Sequence, residues 1–486
     1  MDKVFIRFLE EGDAKLSWKW RNDPEIWKQT GQKPDKHISY EMELEWIQKK
    51  LQRHNELRFA ICEKQTGAYI GNVQLTDING YDAALHIFIG VKEKWGKGYG
   101  TEATKLMVEY GLGILQLQSV YLDVKKDNIA AITAYARTGF ADVFEYDHYR
   151  RMAIYKDKSE KKLSVFVMTY NHENYIRHAL DGILMQLTDF EFDIVLGDDF
   201  STDNTRTVVL DYAIKYPGKF KLLFYPCNVS AAINQNWVLK NCSGEYTAMC
   251  EGDDFWNNPL KLKKQVGFLD ANPEYSLCCH AFDTVNENGI FVENYTAEWE
   301  QKFPAGFDIT PEIYFGKWIT QTLTTVFRKN LMDNIPDYSF ITDTVIFFHL
   351  LLRGKGFWLN FKGGCYRIHS GGSWNGLTLK NSLILSYKIF EDLYKKHKDI
   401  PALRKALNAK TGQIIEYNMH DENIKETRFS NLWFYCLKYY KRSESKKDAW
   451  NYIYLFVVKK IILRSKIFVR RVFDKKYRTE VNKYRS

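Results

Sequence analysis

Three regions with different patterns of hydrophobic and polar residues follow one another along the chain. Residues 1–157 alternate strand-like and helical stretches, and the charged residues 158–162 after them predict a solvated linker. From the apolar run LSVFVMTY (163–170) to residue 375, short runs rich in β-formers alternate with helical patterns, which favours a mostly parallel α/β sheet. Residues 376–486 lose this alternation and predict a helical C-terminal region.

The net charge of +9 is unevenly distributed. Residues 438–486 contain 16 Lys and Arg against 4 Asp and Glu, a net charge of +12, so residues 1–437 carry −3. Residues 450–478, the basic tail, alternate apolar clusters with basic pairs at helical spacing, a pattern suited to an anionic membrane surface. A basic helix packed against the protein or a partner remains the alternative. Without a nucleic-acid recognition module, the charge predicts no nucleic-acid partner.

The N-terminus lacks the apolar core of a signal peptide, and the chain lacks an uncharged apolar stretch of about 18 residues. These features predict a cytoplasmic protein, held peripherally at the inner face of the membrane by its basic tail.

A glycine-rich turn is the first motif with chemical meaning. The strand LHIFIGV (85–91) leads into KEKWGKGYGTEATKLM (92–107), where three glycines precede a helix predicted to begin near Thr101. Glycines let backbone N–H groups approach a ligand closely, and a helix N-terminus adds partial positive charge. The turn is therefore suited to a pyrophosphate group.

The pattern continues with the strand VYLDVKKDN (120–128) and a helix (130–140) that ends at Gly139-Phe140. Together these segments resemble the GCN5-related N-acetyltransferase (GNAT) family, whose glycine loop binds acetyl-CoA. Trp95 replaces the usual Gln or Arg of the loop, a departure found in the branch that resembles ribosomal-protein and amino-sugar acetyltransferases. The segment WRNDPEIWKQT (20–30) also resembles that branch, where it helps to form the acceptor side.

The resemblance implies an N-terminal mixed sheet with flanking helices and several residue roles. Tyr135 would protonate the departing thiolate, because a phenol is protonated at neutral pH. Many relatives use a carboxylate base on the central strand, whereas this strand offers His86. Trp20 and Arg21 would contact the acceptor. Acetyl-CoA would be bound by Ile89, Val91, Trp95, Gly96, Lys97, Gly98, Tyr99, Gly100, Thr101 and Asn128.

Acidic residues follow two strands of the second region. DIVLG (193–197) ends in DDFSTDNT (198–205), and YTAMC (246–250) ends in EGDDFW (251–256). Residues at the carboxyl ends of parallel strands meet at the ligand-binding edge of an α/β sheet. Clustered carboxylates repel one another unless a cation lies among them, and hard oxygen ligands favour Mg²⁺ or Mn²⁺.

In this order, the segments resemble family 2 glycosyltransferases of the GT-A fold. The matching segments are VFVMTYNHENYI (165–176), 198–205, 251–256, TQTLTTVFRKN (320–330), ITDTVIFFHLLLRG (341–354) and YRIHSGGSW (366–374). The resemblance implies inverting transfer of a sugar from a nucleotide diphosphate to a glycan or lipid-linked acceptor.

Asp253 and Asp254 would then hold the divalent cation, with His369 as a further ligand, and Asp343 would be the general base. Two departures qualify this assignment: Asn228-Val229-Ser230 replaces Asn-x-Gly, and Thr342 precedes Asp343 where Glu or Gly is commoner. Asp337 is the alternative base. The nucleotide sugar would contact Thr169, Tyr170, Asn171, Asp198, Asp199, Ser201, Asn228 and Glu251.

The sequence thus predicts an acetyltransferase domain (1–157), a linker (158–162), a glycosyltransferase domain (163–375) and a helical region (376–486). We expect an amino-sugar acetyltransferase fused to a glycosyltransferase of surface-glycan assembly. A peptide acetyltransferase with an unrelated substrate, or a degenerate binding module, is the alternative.

Overall fold

The computed structural model describes residues 3–28, 34–157, 159–316, 319–332, 335, 342–372, 378–420 and 429–453. It divides into two compact units, Met1–Val266 and Gly267–Ser486. The division falls inside the region predicted as the glycosyltransferase domain, so the predicted domain limits stay predictions. Most of the basic tail lies outside the described residues. Among the described helices, none has both the length and the apolar character that crossing a bilayer requires.

The first unit begins with a seven-stranded sheet in the order β1-β2-β3-β4-β5-β7-β6. All neighbouring strands are antiparallel except β4 and β5, which are parallel. Side chains of α4 and the strands form a buried core around Val73, Met107 and Val120. The strands are β1 (Val4–Phe8), β2 (Leu57–Glu63), β3 (Tyr69–Thr76), β4 (Asp82–Ile89), β5 (Ser119–Lys125), β6 (Ala141–Tyr146) and β7 (Tyr149–Tyr155); the helices are α1 (Ala14–Arg21), α2 (Pro24–Trp27), α3 (Tyr40–Leu51), α4 (Tyr99–Glu109) and α5 (Ile129–Arg137).

A second group of strands in this unit forms the parallel order β10-β9-β8-β11. Every residue of β9 is buried, which fits its apolar run at residues 194–196, since parallel strands are covered on both faces. The strands are β8 (Leu163–Thr169), β9 (Phe192–Asp198), β10 (Phe220–Phe224), β11 (Tyr246–Met249) and β12 (Phe255–Trp256); the helices are α6 (Ile176–Leu184), α7 (Thr205–Lys215), α8 (Ala231–Asn241) and α9 (Lys261–Ala271), the last crossing into the second unit.

The second unit is built around the long parallel pair of β13 and β17 and a set of C-terminal helices. Apolar side chains of α12, α13 and α14, among them Phe348, Ile389 and Leu403, share one buried cluster. Its strands are β13 (Tyr275–Asn286), β14 (Phe291–Glu293), β15 (Phe307–Ile309), β16 (Val326–Arg328) and β17 (Lys355–Ile368); its helices are α10 (Ala297–Lys302), α11 (Pro311–Gly316), α12 (Asp343–Leu351), α13 (Leu379–Lys396), α14 (Pro401–His420), α15 (Phe429–Arg442) and α16 (Lys446–Ile453).

The predicted mixed α/β architecture and helical C-terminal region are confirmed in the described residues. Several boundaries differ from the prediction: β4 ends at Ile89 rather than at Val91, and α5 ends at Arg137 rather than at Gly139-Phe140. Helix α4 begins at Tyr99, two residues before the predicted start near Thr101, because Gly98 in the left-handed conformation already serves as its N-cap.

Candidate active sites

The neighbouring strands β4 and β5 of the first sheet pair along only part of their length. The two parallel strands pair only from Asp82 to Ala84 on β4, opposite Ser119 to Tyr121 on β5. Both strands then continue, to Ile89 and Lys125, without pairing with each other. The facing backbone groups beyond the paired residues are therefore available to an extended ligand inserted between the strands.

The predicted glycine cradle lies between the end of β4 and the start of α4. Gly96 and Gly98 have φ values of +70° and +85°, a region that side-chain-bearing residues rarely adopt. A Cβ built on Gly96 meets no heavy atom within 4 Å, whereas on Gly98 it would lie 3.4 Å from the Lys3 ammonium nitrogen. The first N–H groups of α4 start immediately after this turn, next to Gly100 and Thr101, which supports an anion site.

Trp95 fixes the cradle to the sheet. Its indole Nε1 donates to the carbonyl oxygen of Ile89 at 2.8 Å, while 42% of the side chain remains exposed. Ile89 and Val91 pack against the core of this domain. The carbonyl oxygen of Lys97 accepts a hydrogen bond from Lys3 Nζ at 2.6 Å, so a residue from the start of the chain reaches the cradle.

Glu63 organises the cradle from β2, and the sequence analysis missed it. Its carboxylate pairs with Lys94 and accepts a hydrogen bond from the Tyr99 hydroxyl at 2.7 Å. These contacts, with Lys94 the larger cause, lower the pKa of Glu63 to about 2. No motif links Glu63 to the glycines, because β2 reaches them only through the folded sheet.

Helix α5 presents the two residues predicted to meet the CoA arm and the thiolate. Asn128 is the N-cap of α5, and its Oδ1 accepts from the Ala131 amide at 3.2 Å. Tyr135 packs with its ring centroid 5.9 Å from that of Phe140. Burial raises the pKa of the Tyr135 phenol to about 12, so the group is protonated at neutral pH.

His86 lies on β4 with its Nε2 at 3.0 Å from the Thr76 hydroxyl. Desolvation, and secondarily the charge of Arg58, lower the pKa of the imidazole below its ordinary value of 6.5. The ring is thus neutral at pH 7, the form that can accept a proton.

The predicted acceptor segment contains one core residue and one partly buried cation. Trp20 is 6% exposed and covers Gly90, where a Cβ would lie 2.1 Å from its ring. The Arg21 guanidinium lies over Trp27 and Trp46, 5.0 and 4.9 Å from their ring centroids. Trp20 therefore supports the predicted acceptor segment by packing in the core.

Two loops meet at the carboxyl ends of β8 and β9. The Asn171 amide donates to the Ser201 hydroxyl at 2.9 Å, and the Asn171 side-chain oxygen accepts from the Thr202 amide at 2.8 Å. Thr169, at the end of β8, is 2% exposed, and its hydroxyl has no hydrogen-bond partner among the described residues. Tyr170, by contrast, is 46% exposed at the same edge.

Asp198 holds the second loop in place. Its side chain is fully buried and accepts hydrogen bonds from the Ser201 amide at 3.0 Å, the Ser201 hydroxyl and the Arg206 guanidinium. The Asp198 carboxylate therefore already accepts hydrogen bonds from protein groups below the ligand-binding edge of the sheet. Arg206, which the sequence analysis missed, lies eight residues away on α7 and has no motif that marks it.

Asp199 binds the segment before α8. Its Oδ1 accepts from the Val229 amide at 2.6 Å, and its carbonyl oxygen accepts from the Asn228 side-chain amide at 3.1 Å. Burial raises the pKa of the Asp199 carboxyl. The predicted nucleotide edge is thus built from three strand-end loops joined by hydrogen bonds.

Three carboxylates after β11 form the candidate metal site. Glu251, Asp253 and Asp254 each offer an oxygen, and these atoms lie within 4.8 Å of one another. Oxygen donors at this spacing fit Mg²⁺ or Mn²⁺. His172 Nε2 lies 3.8 Å from Asp253 Oδ2, a neighbour that the sequence analysis did not single out. At Gly252, a Cβ would lie 2.9 Å from both Thr169 Oγ1 and His172 Nδ1, so the turn requires glycine.

The remaining predicted residues lie in the second unit. Asp343 is the first residue of α12, and its Oδ1 accepts from the Thr344 amide at 2.7 Å. Burial raises the pKa of Asp343 above its ordinary value of 3.8. His369 directly follows β17 and is 7% exposed. Asp337 and the basic tail from residue 454 onward lie outside the described residues.

The glycine cradle before α4 and the carboxylate cluster after β11 are thus the two candidate sites. Residues 3–141 match the family model described as Acetyltransferase (GNAT) domain, and residues 164–339 match the one described as Glycosyl transferase family 2. The chain therefore carries a GNAT acetyltransferase domain followed by a family 2 glycosyltransferase domain.

Similar proteins match parts of the chain. An uncharacterized protein of Mycobacterium tuberculosis is 33% identical over 215 residues, 44% of this chain and 60% of that protein. The Bacillus subtilis protein TuaG, named as a teichuronic acid biosynthesis glycosyltransferase, is 31% identical over 107 residues, 22% of this chain and 41% of the relative. The chain thus spans at most about 60% of the curated relatives described here.

Among solved structures, spermidine N-acetyltransferase from Vibrio cholerae, in complex with CoA and spermine, is 27% identical with a TM-score of 0.29. The match covers 32% of this chain and 97% of that chain.

Proposed function

We propose that the chain is a bifunctional enzyme of surface-glycan assembly. The GNAT domain N-acetylates an amino sugar carried on a nucleotide, and the second domain transfers a sugar from a nucleotide diphosphate to a glycan or lipid-linked acceptor. The observation that carries the proposal is the presence, in one compact unit, of a glycine cradle and a cluster of three carboxylates beside the nucleotide edge. A relative named for teichuronic acid biosynthesis supports the glycan assignment.

In acetyl transfer, the backbone of the glycine cradle and the α4 N-terminus bind the pyrophosphate of acetyl-CoA. Neutral His86 accepts a proton from the sugar ammonium, and the amine nitrogen attacks the thioester carbonyl carbon. As the C–S bond breaks, the Tyr135 hydroxyl gives its proton to the sulfur. At neutral pH the lowered pKa keeps His86 unprotonated and the raised pKa keeps Tyr135 protonated, which are the forms needed to accept and to donate a proton.

In sugar transfer, Asp343 takes the proton of the acceptor hydroxyl, whose oxygen attacks the anomeric carbon from the side opposite the diphosphate. Inversion follows from that single displacement. Glu251, Asp253 and Asp254 would hold a divalent cation, which would supply positive charge to the leaving diphosphate. The raised pKa of Asp343 makes it a stronger base than an exposed Asp.

We further propose that the basic tail holds the enzyme at the cytoplasmic face of an anionic membrane, where a lipid-linked acceptor lies. The support is the alternation of apolar clusters and basic pairs over 450–478.

The test is a mass-spectrometric screen of UDP- and dTDP-linked amino sugars, with and without acetyl-CoA and Mn²⁺. We expect a mass gain of one acetyl group on a sugar nucleotide, and sugar transfer that requires the metal. Asp254→Ala should abolish sugar transfer and leave acetyl transfer intact. Acetylation of peptide N-termini alone would overturn the amino-sugar assignment.

A further inference from the structure

The acetyltransferase domain packs against β10, the edge strand of the parallel order in the same unit. The Tyr81 hydroxyl, 1% exposed, donates to the Phe220 carbonyl oxygen at 2.7 Å at the start of β10. On the other side of the contact, the Asn241 side-chain amide donates to the Val143 carbonyl oxygen at 2.7 Å. Hydrogen bonds in both directions, the first of them buried, fix how the two domains meet.

Arg151 makes a contact at the carboxyl end of β10. Its Nε and Nη2 donate to the two carboxylate oxygens of Asp123 at 2.8 and 2.7 Å, and its Nη1 donates to the Phe224 carbonyl oxygen at 3.0 Å. The guanidinium also lies over the rings of Tyr121 and Phe144, at 4.3 and 5.1 Å. A bidentate carboxylate and two rings leave this guanidinium little freedom, so it holds the Phe224 carbonyl at a defined position.

The carbonyl group of the next residue, Tyr225, is held by an arginine of the glycosyltransferase domain. The Tyr225 carbonyl oxygen accepts from Arg206 Nη2 at 2.6 Å, and Arg206 also binds Asp198. The Tyr225 ring is fully buried and lies 4.5 Å from the Phe144 ring of the acetyltransferase domain. Two successive carbonyls, where the chain leaves β10, are therefore each held by an arginine, one from each domain.

The segment that leaves β10 at this point forms part of the nucleotide edge. Three residues beyond Tyr225, Asn228 and then Val229 bond to Asp199. The path of residues 224–229 decides where those groups lie, and Arg151 fixes the start of that path.

We propose that Arg151 of the acetyltransferase domain is a positioning residue for nucleotide-sugar binding by the glycosyltransferase domain. The proposal rests on the proposed function for what this edge binds. It makes the acetyltransferase domain a structural part of the donor site, in addition to its own reaction.

The first test is amide hydrogen exchange on the full chain without ligand, comparing wild type, Arg151→Lys and Arg150→Lys. Arg150 is the matched control, because its guanidinium pairs with Glu145 and Asp142 within its own domain. We expect faster exchange, by about fivefold or more, in peptides spanning 222–230 and 198–206 of Arg151→Lys only. Equal exchange in the two variants would overturn the proposal.

The second test is titration with UDP in the presence of Mn²⁺, followed by donor kinetics. Loss of one charge-assisted hydrogen bond should weaken UDP binding about tenfold and raise the donor KM similarly, with kcat within about twofold. An unchanged KM with a lower kcat would contradict positioning of the donor. Wild-type protein that binds neither UDP nor, in the same titration, dTDP would count against the proposed function, while the exchange pattern still decides whether Arg151 orders the segment.

If Arg151→Lys does not fold, Asp123→Asn takes its place, since it removes the ionic partner and keeps Arg151. The same exchange and KM changes are expected, and their absence counts against the proposal.

Discussion

The Asp199 carboxylate accepts a hydrogen bond from the Val229 amide at 2.6 Å, which holds the segment before α8 against the end of β9. The next residue, Ser230, has φ +82° and ψ 150°. This region is open almost only to glycine. Asn171 and Phe200, in the neighbouring loops, also have positive φ. Among the described residues after the linker, the non-glycine residues with positive φ thus all lie at the predicted nucleotide edge.

Ser230 stands in place of the glycine of Asn-x-Gly. Because its φ is positive, this replacement lowers the free energy of unfolding. We expect Ser230→Gly to raise the free energy of unfolding by about 1 kcal/mol, because glycine adopts this conformation without a clashing Cβ. Urea denaturation measures the change. Ser230→Ala keeps the Cβ and should give no gain, so a gain of equal size in the alanine variant would contradict the strain argument.

Tyr135 is expected to act as the acid of acetyl transfer. Tyr135→Phe removes the proton donor and keeps the ring, so kcat should fall by about 100-fold or more with little change in the KM for acetyl-CoA. Steady-state release of CoA measures both constants. Tyr110→Phe, at a partly buried position on the same core, is the control and should be near wild type. A loss below about threefold in Tyr135→Phe would exclude the role.

The pKa of His86 predicts how the rate of acetyl transfer decreases at acidic pH, the acidic limb of its pH profile. Because desolvation lowers this pKa, the ring stays neutral as the pH falls past 6.5, and the base is lost only at more acidic pH. The rate profile should therefore retain activity below pH 6.5, and His86→Gln should remove this limb. A profile of the same shape in the variant would show that another group takes the proton.

The sequence allowed accurate prediction of the buried strands, of the glycine turn before α4 and of the clustering of the carboxylates, because each depends on residues close together in the chain. The apolar run 163–170 became β8, and the carboxylates of 251–254 came together after β11. Both depend on local alternation and on the rule that parallel strands end at one edge.

Residues that reach a site from another strand, helix or domain could not be identified from local sequence patterns. Glu63 reaches the glycine cradle from β2, Arg206 reaches Asp198 from α7, and Arg151 reaches Phe224 from another domain. No spacing marks such contacts, since they depend on the register of the sheet and on domain packing. The burial of Trp20 is similar: the resemblance predicted a contact with the acceptor, and the structure places the side chain in the core against Gly90.

Protonation of Asp343 should determine how the rate of sugar transfer decreases at acidic pH, the acidic limb of its pH profile. Burial raises its pKa, so the carboxylate is protonated, and the base lost, at a higher pH than for an exposed Asp with a pKa of 3.8. We expect Asp343→Asn to lower kcat by about 100-fold or more and to abolish this limb. Asp392→Asn on α13, which lies outside the predicted catalytic and binding residues, should leave both kcat and the acidic limb of the pH profile unchanged. Retention of the limb in Asp343→Asn would point to another base.

The carboxylate cluster predicts that Mn²⁺ stabilises the fold. Three negatively charged groups within 4.8 Å repel one another, and a bound divalent cation removes that repulsion. At about 100 times its dissociation constant, Mn²⁺ should add about 2.7 kcal/mol to the free energy of unfolding. Thermal unfolding with Mn²⁺ or EDTA measures the effect, which Asp253→Asn should reduce and Asp189→Asn, at an exposed site, should not. EDTA should also stop sugar transfer and spare acetyl transfer, whereas sugar transfer that persists in EDTA would contradict a metal site here.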